Sequence, residues 1–210
     1  MNIFIISVFI GIFFIAIAKR ITALITAFLI QSFFLFLSAL ALAVSSGNIE
    51  LYIIAALVLL LKVFLIPYFL RRIAERIQID ENLGLLINPL LSLIIIVLLS
   101  GLAYFFAKNV MHNQPAEGIA GFAISLAIIL TGFFIMIFRA KAIAQVIGLL
   151  VMENGIFLAA AALGGKMPFI VEIAIFLDIL VCAIILGVFI YRINELFTHI
   201  DTDKLTTLKG

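Results

Sequence analysis

Long apolar runs recur seven times along the chain, near residues 2–18, 21–45, 51–70, 84–107, 118–138, 142–163 and 169–192. About 20 apolar residues in a helix cross the hydrocarbon core of a bilayer, so the pattern predicts seven transmembrane helices. Short polar separators mark the ends. Lys19-Arg20 divides the first two runs, and Ser45-Ser46-Gly47-Asn48 closes the second. Arg71 to Asn82 forms a longer polar loop, Asn88-Pro89 reads as a helix entrance, and His112 to Gly118 contains Pro115. Gly164 to Pro168 turns the chain between the sixth and seventh runs. Pro67 lies inside the third run, where it removes one backbone hydrogen bond and predicts a kink.

Composition agrees with this reading. With 67% hydrophobic and 11% charged residues, the chain lacks the polar surface to cover a water-soluble core of its size. The expected fold class is all-α, a polytopic membrane protein. The first run has no basic leader or convincing cleavage site and reads as a retained helix. One cysteine, Cys182, excludes a disulfide framework and a cysteine metal site, and no metal site is expected.

Charge sets the orientation. The loops after runs one, three and five, together with the tail, hold Lys19, Arg20, Arg71, Arg72, Arg76, Arg139, Lys141, Arg192, Lys204 and Lys209. The opposite side holds only Lys108 and Lys166. Basic residues gather on the cytoplasmic side, so the N-terminus is expected outside and the C-terminus inside.

An offset of 121 residues aligns the first two runs with the fifth and sixth. Gly11-Ile12-Phe13-Phe14 falls on Gly132-Phe133-Phe134-Ile135, Arg20 on Lys141, and Phe36-Leu37 on Phe157-Leu158. This pattern reads as a parallel duplication of a three-helix unit, with the fourth run as an extra helix; the alternative is chance likeness among helices of similar composition. The expected organisation is then an N-terminal unit (1–73), a cytoplasmic loop and fourth helix (74–117), a C-terminal unit (118–193) and a polar cytoplasmic tail (194–210).

Three ionisable residues stand deep inside apolar runs: Lys62, Glu153 and Asp178. A charge at the centre of a spanning helix costs about 2.5–3.5 kcal/mol on insertion scales, and such residues are functional candidates by default. Glu153 follows Lys141 by 12 residues and Asp178 precedes Arg192 by 14. At 1.5 Å per residue both carboxylates lie roughly 18–21 Å from the basic boundary, and Lys62 about 13 Å from it. Gln31-Ser32 occupies the position equivalent to Met152-Glu153 and would extend a hydrogen-bonded path. Glu172, near the start of the seventh run, reads either as an interfacial carboxylate or as a point where protons enter. The same charges would also serve as plain helix pairs. Gly148, Met152, Gly155, Ala159 and Ala162 form a seam of mostly small residues that permits close helix packing.

No phosphate loop and no nucleophile–base pair is evident, so the chain is not expected to be an enzyme by itself. Nucleic-acid binding has no support.

Several motifs carry a resemblance. Lys62-Val63-Phe64-Leu65-Ile66-Pro67, Met152-Glu153-Asn154-Gly155, Val171-Glu172-Ile173 with Asp178, and the tail Leu205 to Gly210 together resemble hydrogenase-4 component E. That family supplies a membrane subunit of group 4 nickel–iron hydrogenases and formate hydrogenlyase-type complexes. The resemblance implies a non-catalytic membrane-arm subunit in the inner membrane of a prokaryote, contributing to proton or ion translocation coupled to electron transfer. Its implied partners are antiporter-like and other membrane subunits, with hydrophilic hydrogenase subunits as indirect ones. No cofactor is implied for this chain, the nickel–iron centre and iron–sulfur clusters belonging to those partners. The C-terminal half also resembles the K subunit of respiratory complex I. Asp178 matches the second membrane carboxylate of that subunit; the first would fall at Leu150, one helical turn before Glu153. A structural spacer and an independent transporter are the competing functional classes.

Overall fold

The computed structural model of the protein describes residues 3–76, 87–112 and 114–163. These residues form helices throughout, with no strand among them: α1 (Ile3–Ile17), α2 (Ile21–Ser46), α3 (Ile49–Val58), α4 (Ile66–Arg76), α5 (Pro89–Val110), α6 (Ala116–Phe138) and α7 (Ala142–Leu163). A π-helical segment, Leu59–Leu65, joins α3 to α4 without a break. Among the described residues, five helical stretches are long and apolar enough to cross a membrane, and α1 is a shorter apolar helix. The chain is therefore an all-α, multi-pass membrane protein. The expected seventh span (169–192), the tail, Cys182 and most of the loop after α4 lie outside the described residues.

Local chemistry explains the helix ends. Gly47 closes α2 in the left-handed region (φ 65°), and its N–H donates to the Ala43 carbonyl. A side chain with a Cβ is disfavoured in that conformation, so glycine suits the turn. Asn48 caps α3 by accepting from the Glu50 N–H at 3.0 Å, and Asn88 caps α5 by accepting from the Leu90 N–H at 3.2 Å. Pro89 occupies the first turn of α5, where its missing N–H costs nothing. Just before Pro67, where a kink is expected, stands the π segment. There the Ile66 N–H bonds to the Leu61 carbonyl, five residues back. Since Pro67 has no N–H to offer the Val63 carbonyl, the wider turn precedes it.

The helices pack around α1 and α2. Helix α1 touches α2, α5 and α6, while α2 touches α1, α3, the π segment, α4 and α7. Val8, Ile12, Leu24, Ile25, Phe28, Ile128, Ile135 and Leu150 belong to the buried core.

Among the described helices, α6 and α7 pack most extensively, and the small residues of the predicted seam explain it. A Cβ added to Gly132 would stand 2.6 Å from the Gly148 carbonyl oxygen and 2.8 Å from the Met152 Cβ. One added to Gly155 would meet Ile129 Cγ1 at 2.7 Å and the Ser125 carbonyl oxygen at 2.8 Å. Backbone meets backbone here, so neither neighbour can yield cheaply. Between apolar helices in lipid this van der Waals fit supplies much of the association. Gly11 of α1 faces Gln31 of α2 in a similar way, with a Cβ at Gly11 lying 3.0 Å from Gln31 Cγ.

Gly132→Ala and Gly155→Ala are each expected to destabilise the protein by about 1–3 kcal/mol through overpacking. Gly101→Ala, with nothing within 4 Å of the added atom, should stay within about 0.5 kcal/mol of the parent. Denaturation in mixed detergent followed by circular dichroism makes the comparison; equal shifts for all three would contradict the packing account.

Candidate functional site

Most buried hydroxyls in the bundle are satisfied inside their own helix. Ser38 donates to the Phe34 carbonyl at 2.9 Å and Thr131 to the Ala127 carbonyl at 2.8 Å. This is how serine and threonine sit in an apolar helix without a tertiary partner. A small group of side chains behaves differently and bonds between helices.

Lys62, on the π segment, is the centre of that group. Its Nζ donates to Asn154 Oδ1 at 3.0 Å and lies 3.7 Å from Glu153 Oε2. The Asn154 amide in turn donates to Gln31 Oε1 and to Ser32 Oγ, both at 3.4 Å. Gln31 Nε2 continues the chain to the Val8 carbonyl of α1 at 3.3 Å. Gln31, Ser32, Glu153 and Asn154 are fully buried, and Lys62 is 2% exposed. A single polar line therefore joins α1, α2, the π segment and α7 through the interior.

Helix geometry explains why α7 hosts two adjacent members. Successive residues are about 100° apart on a helix. With Gly155 pressed on α6, Asn154 and Glu153 point away from α6, toward α2 and the π segment. Of the described spanning helices α7 is the most enclosed, so its polar residues avoid lipid. The shorter contact of Lys62 is with a neutral amide and the longer one with a carboxylate. That division leaves the ammonium and carboxylate within direct Coulombic reach in a low-dielectric setting, while the amide fixes the direction of the lysine.

The structure thus brings together Lys62, Glu153 and Gln31, three of the residues singled out in the sequence. Glu172 and Asp178 lie outside the described residues. Asn154 was missed as a site residue, although it stands in the Met152–Gly155 motif. An uncharged amide carries little weight in a search for intramembrane charges; its signal was an asparagine in mid-span beside Glu153.

Two further features flank the polar line. Beyond Ser32 and Glu153, away from the basic end, a cavity of about 290 Å³ is lined by Ile5, Ser38, Leu158, Gly121 and Glu117, among others. At roughly 30 Å³ per water it has room for several molecules. At the basic end, the buried Arg139 guanidinium donates to the Ala16 carbonyl at 2.6 Å, tying the connector between α6 and α7 to the end of α1. Burial pushes Arg139 down to about 10, which leaves it charged at neutral pH. Among the described residues, no group of three or more His, Cys, Asp or Glu is placed to hold a metal ion.

A bundle of apolar helices with a buried line of bonded polar side chains defines the class, a multi-pass membrane protein with an intramembrane polar site. Over 153 residues the chain is 31% identical to the uncharacterised protein Rv0085 of Mycobacterium tuberculosis, covering 72% of this chain and 70% of that protein. Over 161 residues it is 26% identical to hydrogenase-4 component E of Escherichia coli K12 and of Shigella flexneri, covering 77% of this chain and 74% of each. The chain belongs to one family with Rv0085 and is a distant homologue of hydrogenase-4 component E. No model of a known protein family matches it, and no solved structure does.

Replacing Asn154 by leucine removes the 3.0 Å acceptor of Lys62 and the contacts to Gln31 and Ser32. The expected cost is about 1–3 kcal/mol or more, since a charged donor is involved. Ser38→Ala, which deletes only a bond within one helix, should change stability by less than about 1 kcal/mol. Parallel unfolding curves of the two variants check this, and equal losses would argue against a cross-helix network.

Proposed function

We propose that this chain is a non-catalytic membrane subunit of a hydrogenase-type complex, and that Lys62 and Glu153 exchange protons during translocation coupled to electron transfer. The observation that carries the reading is the Lys62 ammonium held 3.0 Å from Asn154 and 3.7 Å from Glu153 in a fully buried setting. A carboxylate and an amine at that separation can trade a proton with little movement, whereas the amides of Asn154 and Gln31 serve to orient them. Homology to hydrogenase-4 component E supports the placement in such a complex. In this reading Asp178 and Glu172 extend the relay, the N-terminus lies outside, and the metal centres belong to other subunits.

The same reading includes the duplication of a three-helix unit. Gly11 packs on Gln31 and Gly132 packs on Met152, and the two pairs are related by the 121-residue offset. The polar line then lies where the two copies meet, with Gln31 and Ser32 of the first against Asn154 of the second.

One observation favours a second reading, that of a structural spacer. The bonds from Lys62 and Asn154 join three helical elements, and such bonds would hold the subunit together without any proton moving.

Glu153→Gln and Lys62→Gln keep hydrogen-bonding capacity but remove the exchangeable charge. Both variants are expected to assemble with their partners, shown by co-purification and mass spectrometry, and to lose most proton uptake per electron in inverted membrane vesicles. Normal uptake in both would end the relay reading; failure of both to assemble would favour the spacer.

A further inference from the structure

We propose that, in the translocation role given to it above, the buried polar site accepts protons and excludes alkali-metal cations, and that Lys62 is the residue that makes the choice. This specificity rests on that role. Lys62 stands where a sodium ion would have to stand. Two oxygens from consecutive residues of α7 face its Nζ, Asn154 Oδ1 at 3.0 Å and Glu153 Oε2 at 3.7 Å. Amide and carboxylate oxygens are the ligands that hard cations take from proteins. The orientation of the Asn154 amide is fixed from its other end. Its Nδ2 donates to Gln31 Oε1 and Ser32 Oγ of α2, both at 3.4 Å, and Gln31 Nε2 donates in turn to the Val8 carbonyl at 3.3 Å. With its N–H groups used by α2, the amide presents oxygen to whatever cation occupies the position of Nζ. The fully buried pair on α7 is thus a preformed acceptor for one positive charge, which the chain supplies itself.

Repulsion between like charges decides the selectivity. A sodium ion entering beside Lys62 would bring a second cation up to the same carboxylate in a medium of low dielectric constant. A proton does not need the occupied place. It bonds to a Glu153 oxygen and turns the carboxylate into a neutral carboxyl group, while Asn154 continues to answer the ammonium. The neutral amide therefore has a use that a second carboxylate would lack, since it holds Lys62 in either protonation state of Glu153. Truncating the lysine reverses the preference. The vacated stem leaves room for a metal ion with water, at roughly 30 Å³ per water molecule. The Asn154 oxygen and the Glu153 charge then face that space without the ammonium.

The test is equilibrium dialysis of the full-length chain in mild detergent against radioactive sodium, with circular dichroism to verify the fold of each variant. The parent is expected to bind no sodium at this site. Lys62→Ala, and Lys62→Ser, which keeps a donor for Asn154, are each expected to bind it at least about tenfold more tightly than the parent, and adding Glu153→Gln should abolish the gain. Sodium held by the parent and released by Glu153→Gln overturns the proposal. So does a folded Lys62→Ala or Lys62→Ser chain that binds no more than the parent. A second readout uses the unaltered chain in its native membrane, where a hydrophobic carbodiimide labels a protonated buried carboxyl group. Labelling of Glu153, followed by mass spectrometry, is expected to fall as pH rises and to be the same in sodium and choline buffers. Protection by sodium, or no labelling at any pH, refutes proton specificity. Both readouts report binding rather than turnover, so they stand apart from the proton-uptake result that decides the relay.

Discussion

A lysine ammonium in the apolar interior of a helical bundle must be answered by acceptors, and the packing of this protein is arranged around that demand. The answer to Lys62 comes from α7, some 90 residues further along the chain, as the Asn154 side-chain Oδ1 at 3.0 Å and the Glu153 carboxylate at 3.7 Å. Removing one partner of such a buried group leaves the other in a medium that solvates it poorly. The position of α7 is therefore not free. Gly132, Gly148 and Gly155 hold it against α6 at backbone contact, and that contact directs Glu153 and Asn154 toward Lys62. The π segment on the other side carries Lys62 just before Pro67, where an α-helix would lack one bond in any case.

Polar side chains in this bundle fall into two physical kinds. Hydroxyls such as Ser38, Ser100 and Thr131 close on their own helix backbone and are nearly invisible to their neighbours. Amides and charges have reach and several bonding directions, so they link helices instead. Gln31, Asn154 and Lys62 connect α1, α2, the π segment and α7 in one line. In a low-dielectric interior bonded polar groups polarise one another. The line contains two neutral amides, those of Gln31 and Asn154, and two ionisable side chains, Lys62 and Glu153.

Hydropathy made the spans legible because a bilayer imposes one local rule, that backbone polar groups be satisfied within the segment while apolar side chains face outward. The run lengths, the Gly47 turn, the Asn88-Pro89 start and the small-residue seam of α7 all follow from neighbours close in sequence. Lys62, Glu153 and Gln31 stood out for the same reason, as polar groups inside apolar runs. Asn154 and the π segment did not, since an uncharged amide and a widened turn leave a faint trace in composition.

By itself, then, the sequence determined the class of this protein, the helices it is made of and most of the groups that occupy its polar interior. Only the tertiary structure decided that Lys62 meets Asn154 and Glu153, that Gln31 and Ser32 complete the line, and that Arg71 crosses to Thr26. The physical reason is range. Transfer into a membrane is set residue by residue, whereas a bond between helices depends on rotation and depth of two segments that the sequence separates by 45 to 123 positions.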